Sequence, residues 1–137
     1  MAQSMHLAEE LSGRFRSDRR PLPAIACTDP GHITCTANDY GFDAVFERWV
    51  RALGASGDVL VCLSTSGNSA NLIRAAEAAA QTGMLVVGLL GKGGGKLAHL
   101  CDHRFDAPGD TADRVQEVHT VIMHALIEGI EQRLGLA

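Results

Sequence analysis

No apolar run in the sequence approaches the roughly 20 residues that a bilayer-spanning helix requires, which argues against a membrane protein. The opening, MAQSMHLAEEL, lacks the charged segment and apolar stretch of a secretory leader, so none is expected. A basic run is missing as well: 12 Lys and Arg stand against 16 Asp and Glu, a formal net charge of -4. Phosphate backbones are held by clustered Lys and Arg, so the balance speaks against nucleic acid as a partner. The densest basic cluster, Arg14, Arg16, Arg19 and Arg20, reads as a solvated helix end. The four cysteines, Cys27, Cys35, Cys62 and Cys101, include no CxxC. They read as small buried hydrophobes in a reducing cytoplasm, not as a disulfide frame. Internal repeats and linkers are absent, and without GxxxxGK[ST] a nucleotide-hydrolysing P-loop is excluded.

What is present is a globular composition. Of 137 residues, 46% are hydrophobic and 20% charged, which fits a single domain over 1–137 with one core. Met5, Leu7, Ala8, Leu11 and Phe15 recur at helical spacing and predict a helix over 3–16. Pro21 and Pro23 end it, and LPAIACT (22–28) reads as a buried strand. Asp29, Pro30 and Gly31 read as a turn leading through 32–37 to a polar loop, NDYGF (38–42). A helix over 43–53 follows, with Val45, Phe46, Trp49, Val50 and Leu53 inward. DVLVCLS (58–64) and MLVVGLLG (84–91) are continuous apolar runs, as in strands covered on both faces. GKGGGK (91–96) reads as a flexible loop, 96–101 as a short helix, 103–107 as a short strand, and about 111–134 as one long helix. Strands alternating with helices predict a parallel α/β sheet.

Between the first of those apolar runs and the alanine-rich segment after it lies a dense hydroxyl loop, STSGNS (64–69). A strand ending in a small polar loop that opens a helix is a recurring anion site, because the first helical N–H groups are unpaired and the dipole is positive there. Ser64, Thr65, Ser66 and Ser69 can each donate to phosphate oxygens, and Gly67 permits close backbone approach. In open α/β sheets ligands bind at the carboxyl ends of strands, where this loop falls. The competing reading is ordinary capping by Ser66 or Asn68.

The two ends of the chain carry a second pattern. His6 and Glu10 are four apart and share a helix face. Gln116, His119 and His124 lie on the last helix. Two imidazoles, a carboxylate and a carboxamide oxygen could form a four-ligand N/O site that suits zinc, or serve as acid and base. Spacing alone equally allows polar residues on half-exposed faces. His32, His99 and His103 have no partner pattern and read as surface residues. Asp113 with Arg114 reads as first-turn helix chemistry.

In this order, MHLAEELSGRF (5–15), ANDYGF (37–42), LSTSGNSAN (63–71), GMLVVGLLGKGGG (83–95) and ADRVQEVHTVIMH (112–124) resemble the phosphoheptose isomerases. These are sugar isomerase (SIS) domain enzymes that convert sedoheptulose 7-phosphate to D-glycero-D-manno-heptose 7-phosphate for surface-polysaccharide precursors such as lipopolysaccharide. The resemblance implies a three-layer, flavodoxin-like sheet flanked by helices. It implies cytoplasmic location and a homotetramer with sites between subunits. It gives the sugar phosphate to Ser64, Thr65, Ser66 and Ser69, with further substrate contacts from Asn38, Asp39, Glu10 and Gln116. It makes His6, Glu10, Gln116 and His124 the ligands of one zinc per chain, and Glu10 and His124 the acid–base pair. Arg14 would orient the carboxylate or substrate, Asp113 would support the site, and His119 would not be a ligand. The family also carries, ahead of the His-x-x-x-Glu helix, a helical segment, a strand and a glycine-rich GNGGS-type loop. The chain therefore reads as an N-terminally shortened form. A non-catalytic SIS module that binds a phosphosugar or a protein, of the replication-initiator-associating type, is the alternative, as is an inactive truncated isomerase.

Overall fold

Along the two central strands the side chains alternate between two helical layers, and that alternation builds the core. The computed structural model describes residues 1–137. Strands β1 (Val59–Ser64), β2 (Leu85–Gly91) and β3 (His103–Ala107) form a parallel sheet in the order β1-β2-β3, with Ser64 opposite Leu90 and Gly91 opposite Ala107. Cys62, Val86 and Leu90 point to one face, where they pack on α4 (Ala70–Thr82) and on α3 (Val45–Leu53), which lies against it. Val61, Leu63 and Leu89 point to the other, where Leu7 of α1 (Ala2–Ser12) meets Met123 and Ile127 of α5 (Ala112–Arg133). Three layers result, as the resemblance implies. The inward face of α4 is Ala75, Ala76, Ala78 and Ala79, all buried, so small side chains let that helix lie close against the sheet.

Helix α1 is shorter than its apolar spacing predicts. It stops at Ser12 instead of continuing to 16, because its last carbonyls find other donors. The Arg19 guanidinium donates to the Glu10, Leu11 and Gly13 carbonyls, and the Leu22 N–H donates to Leu11. Arg14 therefore lies past the helix end, exposed, and is not one turn along the face from Glu10. The basic cluster is not uniformly solvated either: the Arg19 side chain is 2% exposed and paired with a buried Glu131.

Segment 22–28 is not a strand. Leu22 is buried but Ile25 is 68% exposed, and no ladder includes it. Pro23 lacks the N–H donor that a ladder needs, as does Pro21 just before the segment, and the Leu22 N–H is already committed to α1. Residues 32–40 are not a loop lead-in but part of α2 (Pro30–Tyr40), which starts with Asp29 accepting from the His32 N–H at 2.6 Å and Pro30 in the first turn. That is a regular helix start, an Asx cap followed by proline. Leu53 ends α3 exposed, not inward, and His32 is half-buried, stacked edge-on against Trp49 at 4.9 Å. His99 and His103 are at the surface as expected.

All four cysteines are free, but only Cys62 is fully buried, and Cys35 is exposed. Burial, reinforced by neighbouring Cys101, pushes the Cys62 thiol up to about 12; burial, then Asp29, pushes Cys27 up to about 11. Both are protonated and unreactive near neutrality. No helix is long and apolar enough to cross a membrane.

Candidate functional site

The hydroxyl loop leaves the carboxyl end of β1 and enters α4, as the pattern requires. Its hydroxyls divide into two groups. The buried Ser64 hydroxyl accepts from the Gly67 N–H at 2.9 Å, and the Ser66 hydroxyl accepts from the Asn68 N–H at 3.3 Å. These two hold the loop's own shape. Ser69 occupies the N-cap position of α4 in extended conformation yet makes no side-chain cap bond, which leaves its hydroxyl available to a ligand.

The glycine-rich segment 91–96 buttresses this loop and does not behave as a free linker. It folds into 3-10 turns over Lys92–Gly94 and Lys96–His99. The Lys96 N–H donates to the Asn68 carboxamide at 3.1 Å, and the Leu97 N–H to the Gly67 carbonyl at 2.9 Å. A Cβ on Gly67, at φ +63°, would overlap the Gly94 carbonyl. The close approach that Gly67 permits is thus to another loop. Gly67→Ala combines a left-handed backbone with backbone overlap. It is expected to cost roughly 2–5 kcal/mol, read as a lowered denaturant midpoint; an unchanged midpoint would show that the two loops part freely.

Leu63, Ser64, Thr65 and Ser69 form one wall of a cleft of about 200 Å³. Opposite them stand Gln3 and Ser4 of α1 and Gln116 and His119 of α5. Helices α1 and α5 run side by side in the same direction. The Gln3 carboxamide donates to the Gln116 carbonyl at 2.8 Å and to the Thr120 hydroxyl at 3.2 Å, which fixes their register. The cleft is polar, and no Lys or Arg lines it. His119 is 1% exposed, with no hydrogen-bond partner for either ring nitrogen. Burial holds its pKa below the usual imidazole value; the nearby Leu90 carbonyl only partly opposes this, because it lies outside hydrogen-bond geometry.

Further along the same helix pair, His6, Glu10 and His124 converge. One donor atom from each lies within 4.8 Å of the others, and all three are half-buried. The His6 Nε2 is 3.1 Å from a Glu10 carboxylate oxygen. The His6 and His124 rings meet edge to face at 5.2 Å, and Phe15 closes the other side of His124 at 5.6 Å. Two imidazole nitrogens and a carboxylate oxygen form a donor set that suits zinc.

The remaining expected residues are placed differently. Gln116 belongs to the hydroxyl cleft, two turns before His124 on α5. Asn38 and Asp39 sit on α2, exposed, bonded to each other at 2.9 Å and away from the cleft lining. Asp113 is exposed in the first turn of α5, 3.5 Å from Arg114. The Thr111 hydroxyl, aided by the N–H groups of 113 and 114, holds its carboxyl below the ordinary range. Sequence reasoning missed Gln3 and Ser4, which share the face of α1 that carries Leu7, and considered His119 only as a metal ligand, a role that the resemblance gives to other residues.

A family model described as the SIS domain matches residues 1–91. Over 129 residues the chain is 56% identical to a phosphoheptose isomerase of Fusobacterium nucleatum, covering 94% of the chain and 66% of that protein. It is 52% identical over 133 residues to a phosphoheptose isomerase of Vibrio cholerae, covering 96% and 70%. The solved structure of a phosphoheptose isomerase from Neisseria gonorrhoeae is similar with a TM-score of 0.89 at 43% identity, covering 96% of this chain and 70% of that one. The chain thus spans about two thirds of the length of these relatives.

Proposed function

The chain belongs to the SIS domain family and, within it, to the phosphoheptose isomerases, and on that premise we propose that it interconverts sedoheptulose 7-phosphate and D-glycero-D-manno-heptose 7-phosphate. The observation that carries this reading is the convergence of His6, Glu10 and His124 beside a hydroxyl-lined cleft. The phosphate end sits against Thr65 and Ser69 at the mouth of α4, where helix N–H groups and hydroxyls neutralise it. Binding energy from that distal end positions C1 and C2 near Glu10 and His124.

Glu10 removes the C1 proton of the ketose, giving an enediol. Return of a proton to C2, with His124 moving the proton between the two oxygens, gives the aldose. The reaction is redox-neutral overall, so no electron acceptor is needed. His6, Glu10 and His124, with Gln116 as the expected fourth ligand, would hold zinc, which supplies polarisation of the carbonyl oxygen. Gln116, shared between the cleft and the ligand set, contacts substrate. In the same reading Ser64 and Ser66 set the phosphate loop's shape, Asn38 and Asp39 meet substrate across a subunit contact, Arg14 orients the carboxylate or substrate, and Asp113 supports the site.

A homo-oligomer, a tetramer by family resemblance, is part of this proposal. Ile130 and Leu134, four apart at the end of α5, are exposed beside Leu126 and give that end an apolar face for a second copy to cover. The test is to supply zinc to the full chain and follow sedoheptulose 7-phosphate by NMR. Conversion to the aldose, with about one zinc per chain, is the expected result. Zinc uptake and phosphosugar binding without conversion would favour a non-catalytic SIS module instead.

A further inference from the structure

One cleft-lining side chain is buried without a partner. It is His119: a full imidazole, 1% exposed, on the cleft wall with Thr65, Ser69 and Gln116, neither nitrogen in a hydrogen bond. A neutral imidazole has one N–H donor and one acceptor, and burying them unpaired is a penalty that an apolar ring of the same shape would avoid. The ring is also the only lining side chain able to take positive charge, in a cleft with no Lys or Arg.

The geometry points to His119 as a substrate-binding residue, whose ring donates an N–H to the anionic end of the ligand held by the Thr65 and Ser69 hydroxyls. This rests on reading the cleft as the phosphate site. Burial disfavours the charged ring, and a bound phosphate would offer it an acceptor in hydrogen-bond geometry, which the Leu90 carbonyl does not. The unpaired ring is then a stability cost accepted for affinity.

The test uses the full chain with inorganic phosphate and with sedoheptulose 7-phosphate as separate probes. The imidazole nitrogen resonances of His119 should shift on titration with either. His119→Phe should melt at or above the wild-type temperature, yet bind both probes at least about tenfold more weakly, the size of a lost hydrogen bond to a charged group. KM should rise in parallel while kcat changes little, and His119→Asn, which retains a donor, should recover part of the affinity. Wild-type affinity in His119→Phe, or a loss of affinity that tracks a fall in melting temperature, would overturn the assignment. So would a defect seen with the sugar phosphate but not with inorganic phosphate, which would place the ring on a sugar hydroxyl. If Ser69→Ala weakens phosphate binding and His119→Phe does not, the phosphate site stands and only the role of His119 falls. If the wild type takes up neither probe, both fall.

Discussion

Glu10→Gln is expected to lower isomerase turnover by roughly 10²–10⁴-fold, the usual contribution of a positioned base, while leaving the fold intact. The substitution preserves shape and helix propensity. It also preserves one oxygen able to accept from His6, now 3.1 Å from the carboxylate. What it removes is the capacity to take a proton from carbon. The His6–Glu10 pair is partly exposed, at 39% and 16%, so its contribution to stability is at most about 1 kcal/mol, and the melting temperature should barely move. The same variant separates two roles that compete for one carboxylate, since lone pairs given to a metal are less basic. Zinc retained with turnover lost assigns Glu10 as base; zinc and turnover lost together assign it as ligand. An unchanged rate would remove it from the chemistry altogether.

Those roles could be named from the sequence only to a limited degree, and the structure shows why. Periodicity places His6 and Glu10 on one face. It cannot bring His124 to them, because that requires α1 and α5 to lie side by side in parallel, which depends on Leu7 reaching Met123 and Ile127. Resemblance supplied the pairing that spacing could not. The strands were legible because apolar runs such as 84–91 demand cover on both faces, and β3 falls at 103–107 as read. Segment 22–28 has a similar apolar content and is no strand, since composition does not reveal that its N–H groups are absent or committed elsewhere. Helix α2 was missed although its start signal, Asp29 followed by Pro30, is in the sequence. The same residues fit a turn, and TCTAND offers little apolar periodicity against it. The glycine run at 93–95 reads as flexible, whereas Gly94 approaches Gly67 and Gly95 approaches Asn68, contacts that no local pattern encodes.

The deepest unread feature is Arg19, and its removal should have the largest effect on stability. Its guanidinium uses all three nitrogens: Nε to Glu131 at 2.7 Å, one terminal nitrogen to the carbonyls of Leu11, Gly13 and Arg20, the other to the Glu10 carbonyl at 2.7 Å. With 2% and 6% of their side chains exposed, Arg19 and Glu131 form a dry pair. Arg19→Ala strands the Glu131 carboxylate and the Glu10 and Gly13 carbonyls, Leu11 keeping the Leu22 N–H, which is expected to cost roughly 3–5 kcal/mol and on the order of 10–20 °C in melting temperature. Arg19→Ala with Glu131→Leu should recover the part due to the orphaned charge but not the part due to the uncapped helix. Arg19→Lys should rescue poorly, because an ammonium presents three donors from one point where a planar fork reaches carbonyls on several sides. The effect should extend to catalysis: Glu10 is the residue whose carbonyl Arg19 holds, so a frayed last turn of α1 lets the carboxylate drift from His124. Turnover at temperatures well below melting should therefore fall in Arg19→Ala. A variant that melts early but turns over normally when cold would confine Arg19 to the fold, and an Arg19→Lys protein as stable as wild type would remove the planar fork from the explanation.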